Sequence, residues 1–72
     1  MNKSLTRVIL TKGFEFMKTE NKGSALFKKN KHYLIYHKDF STIIFNHKSE
    51  IKFDGWIETE EELNVILKTI KL

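Results

Sequence analysis

Apolar and polar positions change rhythm along this chain. From Phe14 to Trp56 they run in short blocks separated by polar and glycine-containing turns, and after Trp56 they take helical spacing. Leu63, Ile66, Leu67 and Ile70 fall at i, i+3, i+4 and i+7, one apolar stripe. Thr59 and Glu62 have the spacing of a capping box, in which the hydroxyl and the carboxylate each satisfy a free backbone N–H. Glu60, Glu61 and Glu62 place negative charge at the positive end of the helix dipole, and Lys68 and Lys71 place positive charge at the other. The pattern predicts a helix over residues 60–71. So short a helix is marginal alone and needs a surface to cover.

The blocks before it read as that surface. Strands are predicted over Phe14–Thr19, Ser24–Lys28, His32–His37, Thr42–Asn46 and Glu50–Phe53. Ala25 and Phe27 share one face of the second strand. Ile51 and Phe53 are expected inward on the fifth, with Lys52 outward, and Asp54-Gly55 is expected to break it. Turn signals fall at Glu20–Gly23, Lys29–Lys31, Lys38–Ser41 and His47–Ser49. Ahead of the strands, Ser4 is a candidate N-cap, Leu5, Val8 and Ile9 share a helical face, and Gly13 stands where a left-handed C-cap belongs. The rival is a strand through Arg7–Thr11, a run with β-branched residues. The chain is thus read as a single α+β domain over 1–72. It has two layers: an antiparallel meander of four or five strands, a short N-terminal helix, and a C-terminal helix packed on the sheet.

The third and fourth strands are apolar on both faces, through Tyr33-Leu34-Ile35-Tyr36 and Ile43-Ile44-Phe45. A sheet with helices on one side should alternate apolar and polar. The second face therefore needs a cover: the N-terminal helix, curling of the sheet, a second copy or another protein. Tyr33, Tyr36, Phe40 and Trp56 are the large residues expected to border it, with Tyr36 and Trp56 as anchors of a protein-binding face. Self-association as a homodimer through the same face is the competing expectation.

Composition narrows the classes. The 72 residues include no cysteine and no proline, which excludes disulfides and Cys-based zinc sites. No apolar run approaches the roughly 18 residues of a membrane span, and the N-terminus lacks the order of a signal peptide. The expectation is a cytoplasmic protein without a membrane partner. The net charge of +4 is uneven: residues 1–57 carry 11 Lys/Arg against 5 Asp/Glu, residues 58–72 carry 2 against 4. Such a basic body suits an acidic protein or a nucleic acid, and equally suits solubility.

Candidate chemistry is sparse. Lys12-Gly13-Phe14-Glu15-Phe16-Met17 resembles the start of the RNA-recognition-motif signature, whose aromatics stack on bases. It departs from that signature at Glu15 and Thr19, and the family sets this motif on a third strand, whereas here only 11 residues precede it. Phe14 and Phe16 read as core. Lys28, Lys29 and Lys31, near Tyr33 and Tyr36, form a basic cluster that is the candidate nucleic-acid contact. A solvated hairpin turn is the simpler reading, and a lone arginine argues for weak, non-specific binding at most. His32, His37 and His47 have no metal-site spacing, and no cofactor is expected. His37, Asp39 and Ser41 share one turn. No nucleophile elbow, P-loop or dinucleotide fingerprint occurs, and the chain is read as non-enzymatic.

The overall plan, a tiny cysteine-free and proline-free chain with a Lys-rich sheet and an acidic-capped helix, resembles the small α+β proteins of bacteriophages and mobile elements. Anti-CRISPR proteins are an example. The resemblance covers architecture and composition rather than any motif. It implies an inhibitor that binds a host or defence protein in the bacterial cytoplasm.

Overall fold

The capping box near the chain's end is realised, while the helix stops at Thr69 and leaves Lys71 beyond it at φ +62°. In the computed structural model, which describes residues 5–20 and 23–72, Glu62 N–H donates to Thr59 Oγ1 at 3.1 Å and Thr59 N–H donates to Glu62 Oε1 at 3.1 Å. Glu62 Oε1 also accepts from Glu58 N–H at 2.9 Å. These bonds stabilise the ionised form and hold the Glu62 carboxyl below its ordinary range, the Glu58 bond contributing most. The helix that follows spans Glu60–Thr69. Its stripe packs as expected: Leu63 and Leu67 are buried, and Ile66 and Ile70 lie against the core.

The elements in chain order are α1 (Leu5–Thr11), β1 (Glu15–Thr19), β2 (Ser24–Lys29), β3 (His32–His37), β4 (Ser41–Asn46), β5 (Ile51–Trp56) and α2 (Glu60–Thr69). The five strands form one antiparallel sheet in sequence order, because short turns make sequence neighbours pair. Helix wins over strand for the N-terminal segment. Past its end, Gly13 takes φ +96°, a left-handed conformation that glycine adopts without penalty. Lys29 Nζ donates to Lys12 O at 2.8 Å, a cation at the helix's negative end. Ser4, the expected N-cap, and Asn21 and Lys22 of the first turn lie outside the described residues.

Paired residues in neighbouring strands point to the same side. Phe27, Leu34, Ile44 and Phe53 make one such row across β2–β5. Phe27, Leu34 and Ile44 are fully buried. Leu5 and Ile9 of α1, Leu63 and Leu67 of α2, and the flanking Phe14 and Ile57 join them in a single core. Lys12 Nζ lies 3.6 Å from Glu60 Oε2, tying the end of α1 to the start of α2. Both helices therefore cover the same face. The N-terminal helix, one of the candidates to cover the second face, lies on the first.

Two strand details differ from the sequence-based expectation. β5 does not break at Asp54-Gly55 but continues to Trp56, with Gly55 opposite Thr42. The glycine makes room rather than a turn: a Cβ there would stand 3.1 Å from Phe53 Cζ. Ile51 and Phe53 do not share a face. Ile44 pairs with Phe53 and Phe45 with Ile51, so Lys52 is an unopposed bulge residue. The bulge turns Ile51 outward, where it is 59% exposed. β1 is likewise irregular between Phe16 and Lys18, and exposed throughout. Phe14 is core, as expected. Phe16 is half exposed, its ring meeting the Phe27 ring edge-on at 5.8 Å.

Candidate functional site

The face away from the helices is built by the alternate residues of the same strands. Lys18, Leu26, Ile35, Ile43 and Asp54 form one row across all five strands. Beside it run Glu15, Lys28, Tyr33, Phe45 and Ile51. The Tyr33 and Phe45 rings stack with centroids 5.4 Å apart and planes 19° from parallel. Lys28 Nζ lies 5.6 Å from the Tyr33 ring centroid, within cation–π range. Trp56, opposite Ser41, is 66% exposed at the β5 edge. The centre of the face is thus apolar and aromatic, with charges of both signs at its borders.

Of the four aromatics expected here, the structure brings Tyr33 and Trp56 to the open face. Tyr36 is instead 8% exposed and belongs to the core under the helices. Burial, and secondarily the charge of Glu58, raises its phenol pKa. Tyr33 and Tyr36 are three residues apart, and strand alternation sends them to opposite sides. Phe40 is also on the helix side, packed against the core from the β3–β4 turn at φ +75°. Its carbonyl accepts Ile57 N–H at 3.0 Å and Thr42 Oγ1–H at 3.3 Å. Leu26, Ile35, Ile43, Phe45 and Ile51 are face residues that the sequence alone did not single out as such. Parity with Tyr33 identifies Ile35 within β3, and the antiparallel register carries it to β2 and β4. Ile51 is hidden from any parity argument by the bulge.

The three lysines of the expected basic cluster do not share one side of the sheet. Lys28 is on the open face, Lys29 is engaged with α1 and the Phe14 ring on the other side, and Lys31 is exposed in the β2–β3 turn. The His37/Asp39/Ser41 group is turn chemistry. Asp39 Oδ1 accepts from Ser41 Oγ at 2.6 Å and from Ser41 N–H at 3.0 Å, and lies 2.8 Å from His37 Nδ1. The Ser41 hydroxyl, then its N–H, holds the Asp39 carboxyl down at about 2. That hydroxyl donates its hydrogen to the Asp39 carboxylate and closes the turn. Among the described residues no three His, Cys, Asp or Glu side chains are placed to hold a metal ion, and no helix is long and apolar enough to cross a membrane.

No family model, curated protein or solved structure matches the chain.

Proposed function

We propose that this protein is a non-enzymatic binding module that engages a protein surface through the open face of its sheet. The observation that carries the reading is the apolar row Leu26–Ile35–Ile43 with the stacked Tyr33–Phe45 pair beside it, on the side that neither helix covers. Aromatic and β-branched side chains held on paired strands lose little freedom on binding, so their burial converts efficiently into affinity. Trp56 at the rim adds a large amphipathic ring of the kind that dominates interface energetics. No second reading is favoured, because Lys29 faces away from Lys28.

The single tryptophan provides the test. Engagement of the face should shift Trp56 emission to shorter wavelength, and proteins retained by the immobilised chain should be lost from a Phe45→Lys variant. Phe45 points away from the core, so the variant should keep its circular dichroism spectrum. Unchanged retention by a folded Phe45→Lys variant removes this face from consideration.

A further inference from the structure

We infer that the partner on the open face is a second copy of this chain, related by a two-fold axis parallel to β3 and passing over Ile35; the inference rests on the binding-face reading above. Its basis is the order of residues in the row Lys18–Leu26–Ile35–Ile43–Asp54. The row begins with a cation on edge strand β1 and ends with an anion on edge strand β5. It has three aliphatic residues between them and Ile35 at its centre.

A two-fold axis along β3 lays β1 of one copy over β5 of the other. Lys18 then meets the partner's Asp54, Leu26 meets the partner's Ile43, and Ile35 meets its own equivalent. Each contact occurs twice, as an isologous interface requires. In the neighbouring row the same operation sets Lys28 over the partner's Phe45 and Tyr33 over the partner's Tyr33. The alternative axis, in the same plane but perpendicular to the strands, sets Lys18 against Lys18 and Asp54 against Asp54. The charge pattern therefore selects one orientation and opposes the other.

The two charges are available. The only ion pair of Lys18 among the described residues is with Glu20 at 3.3 Å, and the Lys18 side chain remains 67% exposed. Asp54 is exposed and has no ion-pair partner among the described residues. They cannot pair within one molecule, because four strand spacings of about 4.8 Å put them roughly 19 Å apart. Packed in this way, two sheets about 10 Å apart with their central strands aligned make a sandwich with helices on both outer faces. Five strands of about six residues present roughly 20 by 20 Å. That is about 400 Å² per copy, the size of a weak, reversible association, so dissociation between roughly micromolar and millimolar is expected.

Sedimentation equilibrium on the purified chain tests this. The unmodified protein should be a monomer–dimer equilibrium. Ile35→Lys, which places two cations on the axis, should weaken it at least about 100-fold while leaving the monomer's melting curve intact. Lys18→Asp and Asp54→Lys should each weaken it about 10-fold, since two pairs per dimer turn repulsive. The decisive arm mixes those two variants. Each is repelled by itself, but the heterodimer restores both opposite-charge pairs, so the mixture should associate as the unmodified protein does. A chain that stays monomeric to millimolar concentration overturns the inference, as does a dimer indifferent to Ile35→Lys or a mixture no tighter than its components. If the chain is monomeric yet retains a different protein through Phe45, the second-copy inference fails and the binding face stands. If it is monomeric and Phe45→Lys changes nothing, both fail.

Discussion

Ile43 and Ile44 are adjacent, chemically identical and on opposite sides of β4, so truncating each in turn isolates what the helices contribute. Ile44 is fully buried between Leu34 and Phe53 in the core row. Ile44→Ala removes three carbons, worth about 0.8 kcal/mol each in lost burial, or about 2.4 kcal/mol. A void of roughly 50–80 Å³ at about 24 cal/mol per Å³ adds between 1 and 2 kcal/mol, for a total of about 3–4 kcal/mol. A domain of 72 residues has on the order of 4–11 kcal/mol of stability. The substitution thus removes a third or more of it. With a urea slope of about 1 kcal/mol per molar, the unfolding midpoint should fall by roughly 3 M. Ile43 is half-buried on the open face. Ile43→Ala should cost the monomer about 1 kcal/mol or less, mostly as lost strand preference. Urea titration followed by circular dichroism, at concentrations too low for association, compares the two. Equal losses, or a larger loss at Ile43, would refute the assignment of both helices to the Ile44 side. At high concentration the order should tighten, because Ile43 then gains a partner.

Removing the helix cap by Thr59→Ala should lower stability by about 1 kcal/mol in the same titration, and Thr59→Ser should restore most of it. Acid should destabilise the fold: the carboxyls of Asp39, Glu50 and Glu62 all titrate below their ordinary values. A depressed folded pKa contributes stability that is fully present above the unfolded value, about 4, and is lost as pH falls through the folded one. Melting temperatures recorded from pH 7 to pH 2 should therefore decline below about pH 4.5, and Glu62→Gln should flatten part of that decline.

What the sequence determined by itself is whatever depends on near neighbours. The capping box, the stripe Leu63/Ile66/Leu67/Ile70 and the central strands need only spacing of residues a few positions apart, and all are present. Apolar residues on both sides of β3 and β4 likewise mark two faces that are buried or can be, since alternation alone assigns them to opposite sides. The tertiary structure decided which face the helices take, and hence that Tyr36 and Phe40 are covered while Tyr33 and Trp56 remain open. Alternation separates residues into two sets but cannot say which set is inside. That choice depends on long-range packing of α1 and α2 onto the Phe27–Leu34–Ile44 row. The bulge at Lys52 is also tertiary in origin. It is defined by pairing across to β4, so nothing in the run Ile51-Lys52-Phe53 distinguishes it from regular alternation. The row from Lys18 to Asp54 joins residues far apart in the chain, and it exists only once the register of all five strands is set.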